Sequence, residues 1–136
     1  MRKLACLMMV AMCTPVLGQE MEPGEWQFTT TTTSPMMPKP QVMNHSRCVT
    51  KEDSDPSRWG DKQAGKSDCK ASPSKRSGGN YTWEVSCPSM GMRGTGTARV
   101  TRSTVESELR LAGDMGGQKF EMLNKMTGQR VGACKK

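Results

Sequence analysis

The stretch "NYTWEVSC" (residues 80–87) sets the tightest limit on what this chain can fold into. Tyr81, Trp83, Val85 and Cys87 occupy alternate positions, with Thr82, Glu84 and Ser86 between them. A period of two places the first set on one face of an extended strand and the second on the other, the mark of a half-buried β-strand. "MRGTGTARV" follows with Met92, Gly94, Gly96, Ala98 and Val100 opposite Arg93, Thr95, Thr97 and Arg99. The small residues on the inner set point to a strand that bends or is crossed closely by bulky neighbours. "TVESELRLAG" sets Val105, Ser107, Leu109 and Leu111 against Glu106, Glu108 and Arg110. A helix is the rival there, and the strand-like neighbours favour a strand. "QKFEMLNKM" groups Phe120, Met122, Asn124 and Met126; Gly128 then marks a turn, and "RVGAC" supplies a short final strand.

The first half of the chain is less regular. Five consecutive threonines in "GEWQFTTTTTSPMMPKP" look like a low-complexity linker. The same residues keep the period of two, threonine is a good strand former, and Trp26 and Phe28 give the segment an apolar face. It is therefore expected to be the first strand, with Pro35, Pro38 and Pro40 keeping the following segment off the ladder. "QVMNHSRCV" resumes a strand that ends near Cys48. Thr50-x-x-Asp53 is a capping-box pattern, so a helix of one or two turns is expected from Lys51 toward Asp55, ending before Pro56. A polar loop holding Trp59 comes next, where Trp59 either plugs the sheet edge or serves as a contact residue. The expectation is an all-β antiparallel meander, forming a curved sheet or a partly open barrel, with one short helix after Cys48 and two disulfides.

The ends add compartment. Arg2 and Lys3 precede an apolar run over residues 4–17, broken by Thr14 and Pro15 and followed by Gly18. This is the pattern of a signal peptide cleaved after Gly18, and the run is shorter than the ~20 residues of a spanning helix. Met12 is too bulky to precede a lipid-modified Cys13. Residues 19–136 remain as a single β domain, periplasmic or secreted, and a monomer is expected. Arg2 and Lys3 leave with the leader and lower the formal net charge of +7 by two. The remaining basic residues are interspersed with acids and lack clustered aromatics, which argues against a nucleic-acid partner.

Cys6 and Cys13 belong to the leader, so Cys48, Cys69, Cys87 and Cys134 are left. An even number in an exported chain reads as two disulfides. Ser77-Gly78-Gly79-Asn80 is a tight-turn signal near the middle of the Cys69 to Cys87 segment. Folding about it sets Cys69 opposite Cys87 at a separation that a disulfide spans. Cys48 then pairs with Cys134. A four-cysteine zinc site would show close C-x-x-C pairs, and these gaps are long.

"MEPGEWQFTTT", "RCVTKED", the cysteines flanking "YTWEVSC", "GTGTARV" and the closing "GQRVGACK" together resemble the domain of unknown function 3617 family, small exported proteins of Gram-negative envelopes. The resemblance runs from about Met21 to Lys135. It implies a secreted, disulfide-bearing, mostly β domain, and it implies no activity. It also makes the sequons "NHS" and "NYT" incidental.

Chemistry is sparse. His45, the single histidine, lies between Asn44 and Ser46 and reads as a surface residue. No nucleophile elbow, phosphate loop or H-E-x-x-H occurs, and the disulfides consume the thiols. No enzyme activity and no cofactor are expected. Methionine is the one excess, at 13 residues. Met90 and Met92, Met43 and His45 are the candidates for a soft metal such as copper, since thioethers select Cu(I). Against this, Met122 and Met126 fall on an apolar strand face, where methionine is an ordinary gap-filler.

The reading that accounts for most of the chain is a non-catalytic binding or interaction module. Gly94, Gly96 and Ala98 on the inner face of a curved sheet could leave a concavity lined by Trp, Phe, Met and Leu, suited to a small apolar ligand. The plainer alternative, favoured by the low aromatic content, is that the same side chains close as a core. A structural envelope protein acting through a basic face of Arg93, Arg99, Lys119 and Lys125 is a further alternative.

Overall fold

The computed structural model describes residues 20–58 and 68–135. The expected leader and its cleavage after Gly18, and the expected Trp59 loop, lie outside the described residues. Eight strands form: β1 (Gly24–Thr33), β2 (Gln41–Val49), β3 (Lys70–Ala71), β4 (Lys75–Ser77), β5 (Asn80–Cys87), β6 (Met92–Val100), β7 (Thr104–Met115) and β8 (Gln118–Gly132). They make one antiparallel sheet in the order β2-β1-β8-β7-β6-β5-β3, with β4 also paired to β5. Strands β5 to β8 are a meander. The β1–β2 hairpin joins its far side through the β1–β8 ladder.

The threonine run is thus an inner strand, paired on both edges. Thr29 Oγ1 donates to Asn44 Oδ1 on β2 at 2.8 Å, and Thr32 Oγ1 to Asn124 Oδ1 on β8 at 3.0 Å. The β7–β8 turn shows why glycine is needed there. Gly116 and Gly117 have φ of 61° and 88°, the left-handed pair that a two-residue hairpin demands. The Asp114 carboxylate accepts from the Gly117 amide at 2.8 Å.

Two sequence expectations need correcting. Gly128 is not a turn, because β8 runs unbroken through it. A Cβ at this position would stand 2.7 Å from the Phe28 ring and 2.7 Å from Val105 Cγ1. Glycine is there for close packing, and the expected short final strand is the end of β8. The helix after Cys48 is a single 3-10 turn, Lys51–Ser54, and Pro56 opens a second 3-10 turn, Pro56–Arg58, instead of ending helical backbone. Thr50 stands at the N-cap, yet its hydroxyl meets the Asp53 carboxylate at 3.1 Å and not a backbone amide. Asp53 is buried and lies 3.7 Å from the Arg47 guanidinium, which draws the carboxylate toward the sheet.

The core gathers Met21, Trp26, Phe28, Val49, Tyr81, Trp83, Ala98, Val100 and Val105. Three strands separate β5 from β1, yet Trp26 and Phe28 on β1 share this cluster with Tyr81 and Trp83. The sheet must therefore curl about the core. Its two edges, β2 and β3, do not pair, so the barrel stays open. Cys69 bonds Cys87 across β3 and β5 with the Cα atoms 4.0 Å apart. Cys48 bonds Cys134 at 5.3 Å. Glu25 has Cys48 on one side and Gly132 on the other, so this second bridge clasps β2 to the end of β8 across β1.

Tyr81 reports on the core. It is buried, with the Arg76 guanidinium 5.3 Å from its ring centroid. Loss of hydration pushes its phenol above the ordinary value, and the nearby Arg76 offsets only part of that rise. The unfolded phenol ionises near pH ~10. Its contribution to stability is therefore intact below about pH 10 and is lost as the pH rises from there through the folded value. Tyr81 is the single tyrosine, so phenolate absorbance gives its titration directly. The native curve is expected to lie at higher pH than the curve in denaturant, and coincident curves would contradict the burial.

Candidate functional site

An open hollow of about 1090 Å³ crosses the sheet at one level, from the end of β1 to β3. Register explains its lining. Ala71, Val85, Gly94, Leu111 and Met122 stand directly opposite one another along β3, β5, β6, β7 and β8. The next level reads Lys70, Ser86, Arg93, Ala112 and Glu121, and the level on the other side brings Glu84, Arg110 and Leu123. Val85, Leu111, Met122 and Leu123 are each half-buried. The core leaves them incompletely covered, although burying such a side chain stabilises by roughly 1.5–3 kcal/mol.

The glycine-rich strand β6 divides between the two roles expected of it. The space beside Gly96 is filled by the Trp83 indole, and Ala98 is buried. Both serve the core. Gly94 lines the hollow, and a Cβ there would run into the Arg110 carbonyl and the Leu111 side chain. β6 and β7 therefore approach closely at this level because Gly94 has no side chain.

The charged residues at its border, Lys70, Arg93, Arg110, Glu84 and Glu121, stand in the two flanking levels, whose side chains alternate to the other face of the sheet from Val85, Leu111 and Met122. Arg110 is committed to Glu108, its Nε donating to Oε1 at 2.7 Å. The β3 wall is held by Asp68, which accepts from the Ser89 hydroxyl at 2.6 Å and the Ser89 amide at 2.9 Å. These bonds, the hydroxyl's first, keep the Asp68 carboxyl below its ordinary range.

A family model described as "Protein of unknown function (DUF3617)" matches residues 21–134. The chain belongs to this family. No curated protein and no solved structure matches it. The family's description names no function, so the other candidate residues are judged on geometry alone.

The structure separates the methionine candidates. Met92 is buried at 5% exposure while Met90 is 44% exposed, so the two do not face a common space. Met43 and His45 alternate along β2 on one side of the strand, both exposed, and the His45 ring stacks on Phe28 at 5.2 Å. Among the described residues, no group of three or more His, Cys, Asp or Glu side chains could hold a metal ion. No helix there is long and apolar enough to cross a membrane.

The basic face is dispersed by register. Arg99 stands opposite Glu106, Lys125 opposite Glu108 and Lys119 opposite Asp114. Arg93 alone of the four has uncharged neighbours on both sides, Ser86 and Ala112. Sequence reading set Leu111 and Met122 on apolar strand faces, and only the register brings them with Ala71 and Val85 to one hollow. These residues come from four different strands and share no local pattern.

Proposed function

We propose that this DUF3617 chain is an exported, non-catalytic binding module of the bacterial envelope, and that the hollow at Leu111 and Met122 takes an apolar or amphipathic small molecule. The observation that carries this reading is the row of half-buried apolar side chains, Val85, Leu111 and Met122, left uncovered around about 1090 Å³. A volume of that order is what small-molecule sites offer. The leader over residues 1–18 would deliver the chain to the periplasm or beyond, where its two disulfides form.

Nile red, a neutral apolar dye, tests the site. The purified protein is expected to bind it saturably with an increase in fluorescence. Leu111→Asp and Met122→Asp are each expected to weaken binding by roughly tenfold or more, because a carboxylate would be desolvated by the dye. Val42→Asp, on the exposed edge strand β2 and outside the hollow, is expected to leave it unchanged. Absence of saturable binding, or equal losses in all three variants, would remove the site.

A further inference from the structure

Given the hollow as a ligand site, the reading on which this inference rests, the sheet face that carries it narrows the ligand. Side chains two residues apart on a strand share a face, and so do residues directly opposed across strands. The face of Val85, Leu111 and Met122 therefore continues into the level of Trp83, Gly96, Leu109, Asn124 and Thr32, about 7 Å along the strands. In the other direction it continues into Cys87, Met92, Gly113 and Phe120. None of the residues named at these levels is charged. Glu84, Arg93, Arg110, Glu121 and Lys125 alternate with them onto the opposite face. Asn124 interrupts the apolar alternation of Phe120, Met122 and Met126 on β8. It is half-buried, as are Leu109 and Thr32. Its Oδ1 accepts from the Thr32 hydroxyl at 3.0 Å, and its side chain forms no other hydrogen bond among the described residues. The two protons on Nδ2 are thus left for an acceptor. An apolar ligand covering this face would strip water from them, at a cost unless it supplied an oxygen of its own.

We infer that the ligand is an uncharged single-chain amphiphile with an acceptor oxygen beside its hydrocarbon chain. The chain lies along Val85, Leu111 and Met122, and the oxygen accepts from Asn124 Nδ2. Thr32 fixes the Asn124 amide through its Oδ1. A charged head group would be desolvated against a wall that offers no counter-charge, which disfavours it. A neutral acyl ester and a long-chain alcohol share the chemistry that fits.

Isothermal titration with monodecanoylglycerol, decanol, decanoate and decyltrimethylammonium, each kept below its aggregation limit at neutral pH, tests the inference. The two uncharged ligands are expected to bind roughly tenfold or more tighter than either charged one. The tighter of the two tells ester from alcohol as the source of the oxygen. Asn124→Leu should weaken monodecanoylglycerol roughly three- to tenfold, the worth of about one hydrogen bond. Asn124→Asp can still accept from Thr32 but exchanges the donor for a negative charge, and should invert the order so that decyltrimethylammonium binds most tightly. Lys125→Gln, the next residue and on the opposite face, should leave the order as it was. Decanoate bound as tightly as monodecanoylglycerol would overturn the uncharged head group while leaving the apolar site standing. An unchanged affinity in Asn124→Leu would overturn the contact with Asn124. Nile red bound without any of the four amphiphiles would overturn the single-chain ligand. Failure of all four together with Nile red would take down the binding site itself.

Discussion

Replacing Cys48 and Cys134 together by serine is expected to lower the unfolding free energy by about 4–5 kcal/mol, the largest effect of any covalent change in this chain. The bridge closes a sequence separation of 86 residues, against 18 for Cys69–Cys87. A cross-link acts chiefly by restricting the unfolded chain, and the restriction grows with the logarithm of the loop. By that account the shorter bridge contributes about 3 kcal/mol. Two features widen the gap. The hairpin about Gly78 and Gly79 already brings Cys69 toward Cys87, so some of that closure is made by local structure even before the bond forms. The longer bridge ties β2 to the end of β8, and among the described residues β2 pairs with β1 alone. Urea unfolding of the two paired-serine variants, fitted with a common slope, decides the order. A greater loss from Cys69→Ser/Cys87→Ser would mean that loop length does not govern these bridges.

Gly96→Ala is expected to cost about 2–3 kcal/mol, although it adds one methyl group. The added Cβ would fall within the Trp83 indole, and Trp83 belongs to the core at 8% exposure. The ring cannot rise without opening the packing around Tyr81 and Ala98, which share its cluster. Trp83→Ala alone should cost about 3–5 kcal/mol through the cavity it leaves. In the double variant the methyl occupies part of that cavity. The combined loss should therefore fall short of the sum by at least ~1 kcal/mol, the range seen for residues in contact. Additive losses from denaturant unfolding would show that the indole does not rest on Gly96.

The same residue types carried different meanings at different positions, and this limits how far the sequence could be read. Glycine signals either a positive φ or an absent Cβ. Gly116 and Gly117 are the first kind and mark the turn; Gly128 is the second and was mistaken for a turn. Its reason is the Phe28 ring, 100 positions earlier in the chain and one strand away in the sheet. Thr50 and Asp53 have the spacing of a capping box, yet Arg47 draws the carboxylate inward and the helical segment stays at one 3-10 turn. Met90 and Met92 look like a ligand pair until β6 buries the second of them.

The alternation of side chains by itself determined the strands over residues 24–33, 80–87 and 92–100, because a period of two has one structural meaning once a face is buried. The turn at Gly78 and Gly79 determined the Cys69–Cys87 bridge through local geometry, and the count of remaining cysteines then left Cys48 to Cys134. What the tertiary structure decided is everything that depends on which strands are neighbours. It placed β1 beside β8, curled the sheet until Trp26 met Trp83 in one core, and assigned Gly96 to packing and Gly94 to the hollow. It also set Lys70, Ser86 and Arg93 in one row. A strand's own residues fix which side chains share a face, while register with its neighbours fixes which of them meet.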